Sequence, residues 1–194
     1  MKLIYILTIT LLFFSCSTEK LVIKPDADIR KIQNVEISKN IRENLDNGDW
    51  LVIRGYHVAD YLVAGATFAD LSHVAIYDEY NDQIIEAEGI GIHSTTFDDF
   101  MDKSHRIVII RPKWATSESA KKAVEKARGY IGKKYDFLGT IGINDKERLY
   151  CSELVVYVYQ PWFEKDEEIP HIIEPSKMHK LGKVIFDTGK RKSK

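Results

Sequence analysis

The spacing of apolar and polar positions along this chain changes period several times, and each change marks an expected element. Residues 29–45 set Ile32, Val35, Ile37, Ile41 and Leu45 among charges, the pattern of an amphipathic helix closed by Asn47-Gly48. Asp49 to Gly55 is a short apolar run bounded by glycines, which predicts a buried strand. Two runs rich in β-branched residues, 72–77 and 84–89, flank a polar Asn81-Asp82 centre and predict an antiparallel hairpin. Residues 90–96 add a further strand, 98–103 a helical turn, and 106–111 a strand that Pro112 stops. Thr116 is placed to cap a helix reaching Ile131, with Ala120, Val124, Ala127 and Ile131 on one stripe and Gly132 beyond its end. After an irregular stretch at 135–145, an apolar helix runs from Cys151 to Tyr159 and ends before Pro161. Val184-Ile185-Phe186 is the expected last strand. No repeat or low-complexity linker interrupts this order, so the pattern is that of one α+β domain. Residues 56–70 are irregular and include His57, Tyr61 and Phe68; ordinary packing is the expectation there, with a rim over a site as the alternative.

The two ends differ in kind from this body. Met1-Lys2 is followed by an apolar run from Leu3 to Phe14 and then Ser15-Cys16, the layout of a secretory signal. The run is too short for a spanning helix, which needs roughly 20 residues. The placement of Cys16 resembles the lipobox of bacterial lipoproteins, although Phe13 and Phe14 depart from the residues usual there. The resemblance implies cleavage after residue 15, lipidation of Cys16 and a membrane-anchored position in the bacterial cell envelope. Residues 16–28 are then a tether, 29–188 the domain, and 189–194 a solvated basic tail.

Composition narrows the chemistry. At 194 residues, 44% of them hydrophobic, the chain is long enough for one real core. Its 28 basic and 29 acidic residues leave no basic excess, which argues against a nucleic-acid partner. Cys16 and Cys151 are the only cysteines, so lipidation of the first leaves the second without a disulfide partner. A lone thiol without paired histidines has no zinc-site spacing, and no metal or cofactor is expected.

Cys151 is instead placed as a nucleophile. In the first turn of its helix it meets the partial positive charge that favours thiolate, beside backbone N–H groups free to bind an oxyanion. Such a thiol needs a histidine and a group to orient it. Of six histidines, His73 alone sits inside a clear strand, where the backbone holds the ring. His57, His93, His105, His171 and His179 fall in less ordered stretches or at element edges and read as solvated. Glu86 and Glu88 lie on the neighbouring strand and share a face, so parity does not separate them as the orienting carboxylate.

The run His73-Val74-Ala75-Ile76-Tyr77 followed by Ile85-Glu86-Ala87 resembles the histidine strand and the next strand of the NlpC-type cell-wall peptidases. Cys151-Ser152 resembles the start of their nucleophile helix. In those enzymes cysteine precedes histidine, whereas the order here is His73, Glu86, Cys151. With Gly48-Asp49, the stretch from Gly132 to Phe137 and that from Tyr150 to Val155, the chain resembles the permuted papain-like amidases of the YaeF/YiiX family over residues 48–160. Ala75 and Glu153 depart from glycines of the NlpC pattern.

The resemblance implies a circularly permuted papain-like fold, an antiparallel sheet packed against helices with the nucleophile at a helix N-terminus. It assigns nucleophile to Cys151, base to His73 and orienting group to Glu86, which precedes Ala87 as in the family pairing. Tyr135 is expected to line the site, with Glu88 and Ser152 as further substrate contacts. The implied activity is cleavage of an amide through a thioester, with cell-wall peptide as the natural substrate in an envelope. Permuted relatives of the lecithin retinol acyltransferase type move acyl chains at a similar site, so a lipid amide or ester is the alternative. A binding module without chemistry is the third expectation.

Overall fold

The computed structural model describes residues 24–56, 70–143, 145 and 148–191. Its elements follow the order α1 (Ala27–Arg42), β1 (Trp50–Gly55), β2 (His73–Asp78), β3 (Gln83–Glu88), β4 (Gly91–Thr96), α2 (Phe97–Asp102) and β5 (Ser104–Pro112). There follow α3 (Ser117–Arg128), α4 (Cys151–Tyr157) and β6 (Gly182–Asp187). The strands form a six-stranded sheet in the order β4-β3-β2-β1-β5-β6, with every neighbouring pair antiparallel.

Strands β1, β2 and β5 read as continuous apolar runs because helices cover both faces of the sheet. Trp50, Val52, Val74, Ile76, Val108 and Ile110 pack on one face with α3 and α4, through Ala123, Val124, Ala127, Leu154 and Val155. Leu51, Ile53, Ala75, Tyr77, Ile107 and Ile109 pack on the other with Ile41 of α1 and Phe97, Phe100 and Met101 at α2. Each of the larger aliphatic and phenylalanine side chains among them contributes about 1.5–3 kcal/mol of transfer free energy, which is what holds the sheet between its two helical layers. Among the described residues, no helix is long and apolar enough to cross a membrane.

Local chemistry sets the ends of these elements. Thr116 caps α3, its hydroxyl accepting from the Ser119 backbone N–H while the Ser119 hydroxyl accepts from that of Thr116. The helix ends at Arg128, a turn earlier than its apolar stripe suggests, and Ile131 is left exposed. Gly48-Asp49 proves to be a structural joint. Asp49, 1% exposed, accepts from Arg111 Nε at 2.9 Å and Nη2 at 2.8 Å, which ties the start of β1 to β5. Tyr159 donates to the Gly48 carbonyl at 3.0 Å.

Two departures concern the chain ends and the histidines. Arg191, in the segment expected as a solvated tail, is buried and donates to the Met101 carbonyl and Asn34. His105 is buried rather than solvated, its ring packed edge-on against Tyr56. Burial first, and then the charges of Lys190 and Arg191, push its pKa down to about 4. The signal segment with Cys16, the irregular stretch at 57–69 with His57, and the last three residues lie outside the described residues.

Candidate active site

Three segments converge at one end of the sheet. His73 opens β2, α4 begins on Cys151 against the same strand, and Tyr135 reaches the pair from the segment before α4. Tyr135 is held there by an isolated parallel bridge to Leu149, two residues before the cysteine. The stretch leading to it docks on the edge strand β4, where Lys133 O accepts from Ile92 N and Gly132 N donates to Ile92 O, both at 2.8 Å. This approach requires glycine at position 91, where φ is +113° and a Cβ would lie 2.6 Å from Lys133 O.

His73 has two side-chain partners, Glu86 and Cys151. Nε2 lies 2.8 Å from Glu86 Oε2, so Nδ1 is the nitrogen left for the Cys151 sulfur, to which the ring is also hydrogen-bonded. Burial alone would favour the neutral ring. The bonds to Cys151 and Glu86 outweigh it and raise the His73 pKa to about 10. Burial likewise opposes a thiolate, but the His73 ring and the Val74 backbone N–H hold the Cys151 pKa below that of an ordinary thiol. Both directions describe a thiolate–imidazolium pair, a nucleophile already deprotonated beside an acid able to protonate a leaving group.

Glu86 completes the arrangement. It is fully buried, a cost that the His73 and His93 rings and the Lys103 ammonium overcome, holding its carboxyl well below the usual range. Lys103 Nζ lies 2.6 Å from each Glu86 oxygen and 2.7 Å from Glu88 Oε1. His93 Nε2 stands 3.5 Å from Glu86 Oε1 and 3.6 Å from Glu88 Oε2, and its own pKa is raised, by Glu86 first. His93, expected to be solvated, is therefore part of the cluster. The hairpin register carried the signal, since a turn at Gly89-Ile90 sets Glu86 directly opposite His93. Lys103 had no such signal, because it comes from beyond the end of α2.

Tyr135 stands beside the Cys151 sulfur. Its hydroxyl is hydrogen-bonded to Cys151, and burial, followed by the adjacent sulfur, holds the phenol above its usual range. Ser152, expected as a substrate contact, faces the core. It is fully buried and donates to the Ile173 carbonyl, because the second residue of α4 points into the core that the first residue borders. Glu88 is half-buried and committed to Lys103.

His73, Glu86 and Glu88 offer donor atoms within 4.8 Å of one another, a spacing that a metal ion can use. The group does not fit one here. The Lys103 ammonium stands among the carboxylates in the place of a cation, and His73 Nε2 is committed to Glu86.

A family model described as permuted papain-like amidase enzyme, YaeF/YiiX, C92 family, matches residues 46–190. Among solved structures, the chain is similar to the metalloprotein yiiX from Escherichia coli O157:H7. The likeness has a TM-score of 0.52 at 23% sequence identity and covers 75% of this chain and 90% of that one. It shows a shared fold. No curated protein matches the chain.

Proposed function

The chain belongs to the permuted papain-like amidase family, and from that premise we propose that it is a cysteine amidase working through a Cys151 thioester. The observation that carries this reading is the His73 ring held between the Cys151 sulfur and the Glu86 carboxylate.

The thiolate of Cys151 adds to the amide carbonyl carbon, and the electron pair of the C=O bond moves to oxygen. Backbone N–H groups at the start of α4 are placed to stabilise that oxyanion. As the tetrahedral species collapses, the C–N bond breaks and His73 gives its proton to the departing amine, leaving a thioester and a neutral imidazole. His73 then takes a proton from water, hydroxide adds to the thioester, and collapse releases a carboxylic acid and the thiolate. Glu86 stays ionised and bonded to Nε2 throughout, which holds the ring with Nδ1 towards sulfur.

The signal layout and Cys16 support a lipid-anchored envelope location, and an envelope supplies cell-wall peptide as the amide. A lipid amide or ester is the second reading, and one observation favours it. Tyr135 packs edge-on against Phe137 at 4.8 Å, and the same segment leaves Phe137, Leu138, Ile141 and Ile143 more than half exposed. An apolar rim one ring away from the nucleophile suits an acyl chain. Incubation with peptidoglycan peptide fragments and with N-acyl amides, side by side, separates the two. Release of an amine from either, lost in Cys151→Ala, supports the amidase reading; release from neither, with the thiol intact, counts against it.

A further inference from the structure

Lys103 stands outside the three groups that the mechanism uses, yet it makes the shortest contacts in the cluster. It follows the last residue of α2, and its side chain is 14% exposed, with its ammonium 5.2 Å from the Phe100 ring centroid. The ammonium meets both oxygens of Glu86 and one of Glu88. Glu86 and Glu88 leave the same face of β3, so without Lys103 the two carboxylates would face one another at the end of a buried strand, with the His93 ring, 3.5 and 3.6 Å away, as their shared neighbour. Like charges so placed share a proton. A protonated Glu86 would no longer act as the counter-ion that His73 needs.

From this geometry we propose that Lys103 is a positioning residue that keeps Glu86 ionised and directed at His73. It acts on the reaction through Glu86 and His73 rather than on the substrate. The groups facing this cluster are His73 from β2, Glu88 on β3, His93 from β4, and Cys151 from α4, with Tyr135 behind the sulfur. Asp102, beside Lys103 in the chain, is already paired with Lys24 and Arg30.

The inference rests on the thiolate–imidazolium reading of Cys151 and His73, and the test separates the two. Alkylation of Cys151 by iodoacetamide is followed against pH in the wild type, Lys103→Met, Lys103→Arg and the double variant Lys103→Met with Glu88→Gln. Methionine keeps the alkyl packing on Phe100 and removes the charge. The acid limb of the Lys103→Met profile is expected to move up by about one pH unit, a roughly tenfold slower reaction on that limb. Lys103→Arg should restore it, and so should adding Glu88→Gln, since the second carboxylate is what makes the cation necessary. A purely structural lysine would lower the amplitude without moving the limb, and its loss would not be rescued at Glu88. Should Lys103→Met fail to fold, Glu88→Gln alone tests the same balance with the opposite sign, the limb moving down. A Lys103→Met profile superimposed on the wild type overturns the inference alone, as does an unmoved limb in Glu88→Gln. A wild-type profile like that of an ordinary thiol overturns the reading beneath it as well.

Discussion

Glu86 Oε2 lies 2.8 Å from His73 Nε2, although the register of their strands does not pair these two residues. Ala75 stands opposite Glu86, and continuing that register sets His73 opposite Glu88. The bond is diagonal across the sheet, within reach of a glutamate side chain, and Lys103 draws both carboxylates together at the same spot.

This diagonal bond has a consequence for acid stability. Glu86 is held below its ordinary pKa by His73, His93 and Lys103 against the opposing effect of burial. Its ionisation therefore contributes stability that is complete above the ordinary value of 4.5 and is lost as pH falls through the depressed folded value. Glu86→Gln should flatten that acid limb, read as the urea midpoint between pH 7 and the acid transition. The same variant leaves His73 without its counter-ion and should slow Cys151 alkylation near neutral pH about tenfold or more.

His105 gives the opposite kind of group a similar acid sensitivity. Its pKa falls from 6.5 to about 4 in the folded chain, so folding favours the neutral ring. The stability it contributes is complete above pH 6.5 and declines as pH drops towards about 4. His105→Phe keeps a ring against Tyr56 and should weaken the pH dependence of the melting temperature in that window. An unchanged dependence would show that the window belongs to other groups.

Tyr135→Phe removes one hydroxyl at the nucleophile and leaves the ring that packs on Phe137. Loss of a hydrogen bond to a charged sulfur is worth about 1.5–3 kcal/mol. The expected result is a Cys151 alkylation profile displaced to higher pH with an unchanged melting temperature. A large fall in melting temperature instead would make Tyr135 a packing residue.

Asp49→Ala should act on stability alone. The substitution leaves the Arg111 guanidinium, one-third exposed, without the buried carboxylate it grips through two nitrogens, a loss of about 2 kcal/mol, between that of an exposed pair and a buried one. Urea unfolding measures it, and a change below about 1 kcal/mol would mean that Asp46, which also contacts Arg111, suffices.

Much of this arrangement was legible in the residues. The β-branched apolar runs and the turn residues between them predicted the hairpin of β2 and β3 and the strands beside it, and the Thr116 cap predicted α3. Residue type, position and resemblance point to Cys151, His73 and Glu86, and the fold brings all three together. What stayed hidden depends on contacts between segments far apart in sequence. Lys103 enters the cluster from beyond a short helix, and Arg191 and His105 are buried against elements that local pattern does not connect to them. Ser152 is hidden for a different reason. Adjacency to a nucleophile in sequence is not adjacency in space on a helix, where the next residue turns about 100° away and here enters the core.

The most direct test of the account is the rate of Cys151 alkylation by iodoacetamide at about pH 6 in the wild type and in His73→Ala. An ordinary thiol is almost wholly protonated there. A thiolate–imidazolium pair predicts a wild-type rate at least tenfold above that of an unperturbed thiol, falling to the ordinary rate when His73 is removed. A wild-type rate equal to that of an ordinary thiol, or one unaffected by His73→Ala, would contradict it.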